Sequence, residues 1–360
     1  MKKVLHIKST LKIGGAERLM AEMLPLMKKE IEVALLINQQ VDNAFSQMLQ
    51  KGGVTVYALG YPKLYSPWNI VKIIRWLKQY DLIHVHLFPS LYFVAIANIF
   101  THKPLVYTEH STFNKRRGKW YMKPIEKWMY GRYKKIISIS QLTETNLKKW
   151  IGASSDDPRF VIVNNGINLG EFSNVKHEKL YPHTLIMIGR FYLAKDQATI
   201  VRAMKLLAED VHLILVGDGG DREKCQILAA ELGVQERVHF VGIQSDVPSW
   251  IAKADIGILS SHWEGFGLTA VEMMAGGLPV IASDVDGLRE VVQGAGEIFP
   301  CGDYERLAEI VTHLLDDKEY YEQVKNRCHK RAEEYDIQTM TKAYLNVYRE
   351  VLGDGHQNNG

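Results

Sequence analysis

Short runs rich in Val, Ile and Leu alternate with helical patterns along the chain, and the alternation restarts once near its middle. No other feature constrains the fold as much. Strands that alternate with helices lie parallel, because a parallel neighbour is reached only by a crossover long enough to hold a helix. In the first half the strands read Val4–Lys8, Glu32–Ile37, Val54–Tyr57, Leu82–His86, Leu105–Thr108, Ile136–Ser140 and Phe160–Val163. The polar, aperiodic stretch Gly170–Pro182 reads as a linker. Strands then resume at Leu185–Ile188, Val211–Val216, Val238–Val241, Ile256–Leu259 and Val280–Ser283. Helical patterns fill the gaps, among them Ala16–Lys28 and Leu268–Ala275. A helical segment closes the chain from Tyr304 to Leu352, with one break near Tyr335–Asp336. The length, 360 residues, exceeds the roughly 250–300 that one core supports. The pattern therefore predicts an α/β protein of two doubly wound, Rossmann-like domains facing a central cleft. Ligands bind beyond the carboxyl ends of strands in such sheets, so the residues that follow strands carry the functional information.

Hydrophobic residues make up 46% of the chain and charged ones 24%, which excludes a disordered, collagenous or multi-pass membrane protein. Three scattered cysteines, Cys225, Cys301 and Cys328, give neither a disulfide framework nor metal-ligand spacing, and a reducing cytoplasm is the simplest reading. The longest apolar run, Leu91–Phe100, is about half of a membrane span and reads as a buried helix. Lys8 and Lys12 interrupt any hydrophobic leader. Net charge is only +3 but is unevenly spread: up to Asn165 there are 25 Lys/Arg against 11 Asp/Glu, and beyond it 19 against 30. The front half should seek an anionic partner.

Four segments that follow strands could carry chemistry. In Glu264-Gly-Phe-Gly-Leu-Thr-Ala-Val-Glu272, two carboxylates flank a Gly-rich turn that opens a helix. The glycines allow close backbone approach, the new helix offers free N–H groups to an anion, and Glu272 sits about one turn in, where a carboxylate can take both hydroxyls of a ribose. The bland alternative is a surface turn with a solvated Glu. In Gly189-Arg190-Phe-Tyr-Leu-Ala-Lys195-Asp196, two cations can meet a diphosphate from two sides, or be an ordinary surface pair. Gly14-Gly15 precedes a helix and suits phosphate approach, yet matches no nucleotide fingerprint. In Thr108-Glu109-His110-Ser111, a histidine at a strand end could bind a sugar hydroxyl or act as a base. His6, His84 and His86 also lie on strands of this half.

The string EGFGLTAVEMMAGGLPVIASDVDGLREVV, together with these segments, resembles the retaining glycosyltransferases of family four, two-domain GT-B enzymes that use nucleotide-sugar donors. The resemblance runs over most of the chain. It implies an acceptor-side domain over 1–169, a donor domain over 170–336, a helix over 337–352 that returns to the first domain, and a flexible tail over 353–360. It implies that Glu272 holds the ribose and that Glu264 and His110 contact the transferred sugar. The amides of Phe266, Gly267 and Leu268 then face the diphosphate or sugar, and the Gly14–Gly15 loop reaches the donor. Arg190 and Lys195 neutralise the diphosphate without a metal, so Asp284-Val-Asp286 is declined as a metal motif, while Gly217-Asp-Gly-Gly220 lacks the dinucleotide spacing and reads as a strand–helix turn lining the donor cleft. Asp196 departs from the glycine often found there and could pair with Lys195 or cap the next helix. The strand–turn Phe240–Gln244 is where such enzymes cradle the base, and UDP-sugars are favoured as donors.

From Ser111 to Lys135 there are nine Lys/Arg against one acidic residue, Glu126, interleaved with Phe113, Trp120, Tyr121, Trp128, Tyr130 and Tyr133. This suits an anionic membrane surface met by Arg116, Arg117, Lys119, Trp120 and Lys123. Nucleic acid or plain solvent are the other readings. The resulting expectation is a metal-independent retaining hexosyltransferase with no cofactor, acting on a glycan or lipid-linked glycan in cell-surface polysaccharide or glycolipid synthesis. It would be cytoplasmic, peripheral to the membrane's inner face, and would bind no nucleic acid. The alternatives are a GT-B sugar-nucleotide epimerase and a non-catalytic nucleotide- or lipid-binding scaffold.

Overall fold

In the computed structural model residues 1–11, 14–60, 65–111, 115–173 and 175–353 are described; Phe113 and the tail 354–360 fall outside them. The chain divides into two compact units: residues 1–166 with the segment from Ile337 onward, and residues 167–336.

Unit 1 holds a seven-stranded sheet. Its strands are β1 (Lys3–Lys8), β2 (Glu32–Ile37), β3 (Thr55–Ala58), β4 (Leu82–His86), β5 (Leu105–Glu109), β6 (Lys135–Ser138) and β7 (Phe160–Ile162), in the order β3-β2-β1-β4-β5-β6-β7. Unit 2 holds β8 (His183–Ile188), β9 (Val211–Val216), β10 (Val238–Gly242), β11 (Ile256–Leu259), β12 (Val280–Ser283) and β13 (Glu297–Phe299), in the order β10-β9-β8-β11-β12-β13. All pairings are parallel. Each sheet winds outward from its first strand, then returns to that strand's other side. The order therefore reverses between β1 and β4, and again between β8 and β11. Central strands are buried along their whole length, as β4 and β11 are, because helices cover both faces of a parallel sheet. That is why they read as apolar runs and not as alternations.

Four details depart from the sequence reading. β13 escapes it because three residues between Gly296 and Pro300 give no pattern to find. The terminal helical stretch is broken twice. Besides the break before Ile337, the Asp317 carboxylate accepts the Tyr320 N–H and starts a new helix, Lys318–Glu333. The supposed linker begins inside unit 2, where Leu169–Ser173 is a short helix with Phe172 buried. Leu91–Phe100 is helical, but its last residues Ile99 and Phe100 are exposed.

The helix Ile337–Leu352 belongs to unit 1. Its Ile337, Met340, Tyr344, Leu345, Val347 and Tyr348 are buried in one cluster with Val4, Leu35, Leu82 and Val106. The first unit is thus completed by the last helix of the chain. Leu345→Ala, removing a side chain that is 3% exposed, should cost about 2–5 kcal/mol. Chemical denaturation followed by a unit 1 tryptophan such as Trp76 checks this; an unchanged midpoint would place the helix outside the core.

Candidate functional site

In unit 2 the loop after β8 and the loop after β11 meet. Lys195, from the first, forms an ion pair with Glu264, from the second, although 69 residues separate them. Both side chains are largely buried, so water screens the pair weakly. Arg190, on the same loop as Lys195, is exposed and has no acidic partner among the described residues. Asp196 does not turn to Lys195. At φ +48°, a left-handed conformation that Asp tolerates, it precedes the helix Gln197–Ala203 and accepts from the Thr199 hydroxyl at 2.6 Å. Its other neighbour is His262 Nε2, 3.5 Å away.

After Glu264 the chain turns through Gly265 and Phe266 to Gly267, whose φ of +80° is left-handed and suits glycine. A Cβ there would also meet Leu288 at 2.6 Å. Gly267 starts the helix Leu268–Ala275, in which Glu272 is buried. No Cβ contact would arise at Gly265, so the turn is open on that side. Phe266 packs edge-on against Tyr335, with ring centroids 5.4 Å apart. A cation, a carboxylate and a helix N-terminus thus meet at the carboxyl edge of one sheet, with buried Glu272 further along that helix, an arrangement suited to a polyhydroxylated anion. Asp284 and Asp286 are both paired to Arg289, at 2.5 and 3.1 Å.

In unit 1, Gly14 is the residue before the helix Gly15–Met27, in extended backbone at φ −177°. The nearby feature that sequence reasoning missed is Lys8. It is 3% exposed at the end of β1, and its ammonium binds Glu17 of that helix at 2.7 Å. His110 directly follows β5, and its Nε2 lies 3.1 Å from His86 Nδ1. Behind it His6, His84 and His86 are fully buried. Burial holds His6 and His110 down at about 3 and pushes His84 and His86 well below the usual histidine value. Lys8 adds to the effect on His86 and His110. All four are therefore neutral at pH 7. The i, i+2 spacing of His84 and His86 on one strand was the available sequence signal.

The basic segment needs a correction. Arg116 and Arg117 do not belong to an exposed face. Arg116 Nε donates to buried Glu126 at 2.8 Å and lies over the Phe88 ring at 3.8 Å, while Arg117 pairs with buried Glu109 at 2.9 Å. Glu126 also accepts from Tyr92 and Trp150. Tyr130 and Tyr133 are buried too. Lys119, Trp120, Tyr121, Lys123, Ile125, Lys127 and Trp128 remain exposed, Trp120 by 85%.

A family profile described as "Glycosyl transferases group 1" matches residues 171–335, and one described as "Glycosyltransferase Family 4" matches residues 13–171. The chain is similar to N-acetyl-alpha-D-glucosaminyl L-malate synthase of Bacillus anthracis, with 34% identity over 47% of this chain and 46% of that protein. It therefore spans about half of that relative's length. It is also similar to phosphatidyl-myo-inositol mannosyltransferase of Mycolicibacterium smegmatis, with 27% identity over 81% of this chain and 77% of that protein. In structure it is similar to Anabaena HepE, solved with UDP and glucose, at a TM-score of 0.83 and 21% identity over 97% of this chain and 100% of the other. The fold is α/β of the GT-B type.

Acid should destabilise unit 1. A histidine with a depressed folded-state pKa contributes stability above its unfolded value, near 6.5, and that stability is lost as pH falls below it. Between pH 8 and 5.5 the loss should be on the order of 1 kcal/mol for each of the buried His6, His84 and His86. Urea unfolding at the two pH values measures it; an equal unfolding free energy at both would mean that the histidines are charged or solvated.

Proposed function

The chain belongs to glycosyltransferase family four, and we propose that it moves a hexosyl unit from a UDP-sugar to a glycan or lipid-linked glycan with retention at the anomeric carbon. One observation carries this reading: in unit 2 the Lys195–Glu264 pair, the N-terminus at Gly267 and buried Glu272 share one sheet edge. A nucleoside diphosphate sugar has matching parts. Glu272 takes the ribose hydroxyls. The first amides of the helix Leu268–Ala275 and the cations Arg190 and Lys195 take the diphosphate, and Glu264 takes hydroxyls of the sugar. For Lys195 to reach the phosphates it must leave Glu264, so donor binding exchanges one anionic partner for another and releases the carboxylate to the sugar. Fixed cations and helix N–H groups then stabilise the departing diphosphate, where charge develops. In this mechanism the donor phosphate takes the acceptor proton on the same face, with no metal required.

The exposed face around the helix Met122–Tyr130 supports an acceptor at a membrane. Lys119, Lys123 and Lys127 surround Trp120, Tyr121, Ile125 and Trp128, the composition of a surface that settles among anionic headgroups. No helix among the described residues is long and apolar enough to cross a membrane. The enzyme would then work at the inner face of the cytoplasmic membrane, in synthesis of surface polysaccharide or glycolipid.

Thermal shift against UDP, GDP, ADP and their sugar conjugates tests the donor site. A ligand at 100 times its dissociation constant adds about 2.7 kcal/mol, a rise of a few degrees, and Glu272→Ala should abolish it. A wild-type shift in Glu272→Ala would sink the ribose assignment. On vesicles with anionic lipid, replacing Lys119, Lys123 and Lys127 by Glu should weaken binding at least tenfold, at about 1 kcal/mol per charge. Arg116→Ala should instead destabilise the fold by about 3–5 kcal/mol, because it leaves the buried Glu126 charge without its cation. Unchanged vesicle binding in the triple variant would move the membrane face elsewhere.

A further inference from the structure

We infer that His86, His6, Tyr348 and His84 are positioning residues: one hydrogen-bond chain through them fixes His110 as the Nε2–H tautomer and leaves its Nδ1 as an acceptor for a sugar hydroxyl. The sugar role rests on the transferase reading; the tautomer does not.

The chain is continuous within unit 1. His110 Nε2 meets His86 Nδ1 at 3.1 Å, and His86 Nε2 meets His6 Nδ1 at 2.9 Å. His6 Nε2 lies 3.3 Å from the Tyr348 hydroxyl, which lies 2.5 Å from His84 Nδ1. His84 Nε2 ends on the Thr108 hydroxyl at 2.7 Å, and Thr108 donates to the Tyr344 hydroxyl at 3.4 Å. A neutral imidazole carries one N–H and one bare nitrogen. Fixing the direction of one bond therefore fixes them all. The Thr108 end of the chain sets that direction. Thr108, donating to Tyr344, must accept from His84 Nε2–H, which leaves His84 Nδ1 bare. The Tyr348 hydroxyl has one proton and two histidine neighbours. It therefore donates to the bare His84 Nδ1 and accepts from His6 Nε2–H. His6 Nδ1 then accepts from His86 Nε2–H, and His86 Nδ1 accepts from His110 Nε2–H. His110 Nδ1 has no partner among the described residues.

The charges around the chain agree. Lys8 on β1 disfavours protonation of His86 and His110, and burial disfavours it throughout. Glu109, on β5, is engaged by Arg117 and Tyr130, and Tyr344 and Tyr348 on the last helix hold their protons. His6, His84 and His86 bring ligand atoms within 4.8 Å of one another, the one such group among the described residues. A metal ion would nevertheless have to break bonds that already occupy every nitrogen of the three, with no carboxylate among them and an ammonium nearby.

Nitrogen–proton correlation NMR of the imidazoles in the full chain at pH 7 tests the tautomer directly. Wild type should show four neutral rings, with His110 protonated on Nε2. Tyr348→Phe breaks the chain at its centre and His86→Gln at its end. Either should mix the His110 tautomers, or in His86→Gln reverse them. In both, the affinity advantage of the tightest UDP-hexose over UDP should fall about tenfold, the worth of one hydrogen bond, while UDP affinity stays within twofold. On one monodeoxy analogue of that hexose the variants should match wild type. His110 protonated on Nδ1 in wild type, a metal-bound spectrum abolished by EDTA, or His110 signals unchanged in both variants would overturn the inference. If wild type binds no nucleoside diphosphate, the sugar role falls together with the transferase reading. UDP binding with the wrong tautomer sinks only the chain. Should a variant fail to fold, the wild-type tautomer decides.

Discussion

Parallel strands all end on the same edge of their sheet, and everything functional in this protein follows from that constraint. Residues far apart in sequence become neighbours because each loop leaves its strand on the same side. Lys195 and Glu264 meet in this way after β8 and β11, the two strands between which the order of the second sheet reverses. The backbones beside them approach closely. Gly217 has φ +134°, and a Cβ on it would lie 2.1 Å from the Gly189 carbonyl oxygen, so only glycine lets the loops after β8 and β9 touch. Gly219 of the same Gly-Asp-Gly-Gly segment is held likewise, since a Cβ there would lie 2.2 Å from the Phe191 carbonyl oxygen.

The two units meet the problem of charge differently. Unit 2 keeps Lys195 ready by pairing it with Glu264, a carboxylate that the proposed substrate can replace. A buried cation without an anion would be costly, and one bound to an irreplaceable anion would be useless. Unit 1 instead places neutral histidines at its sheet edge and keeps them uncharged by burial and by Lys8. Neutral imidazoles can hold a fixed proton arrangement across several elements, whereas charged ones would repel one another. The helix Ile337–Leu352 takes part through Tyr348, so the last turns of the chain bear on a residue at position 110.

Much of this was legible in the sequence, and the rest was hidden for identifiable reasons. Strands buried on both faces announce themselves as apolar runs, and β2, β4, β9, β11 and β12 were read to the residue. The Glu264–Glu272 and Arg190–Lys195 segments stood out because their residue types follow strands. Charge counting failed at Arg116 and Arg117. A count sums charges but does not see that buried Glu126 and Glu109 pull two of them inward. The Lys195–Glu264 pair and the histidine chain were invisible because they depend on strand register. His6 stands beside His84 on β1 and β4, but nothing in the one-dimensional order says so. β13 was simply too short to carry a pattern.

The central claim is that a nucleoside diphosphate captures Lys195 from Glu264. Calorimetric titration of UDP into wild type and Glu264→Gln tests it most directly. If the pair exchanges partners, removing the carboxylate charge frees Lys195 in advance, and UDP should bind about tenfold more tightly, the worth of a charge-assisted hydrogen bond no longer broken. Equal affinity for UDP in the two proteins, or UDP binding that survives Lys195→Met unchanged, would contradict it.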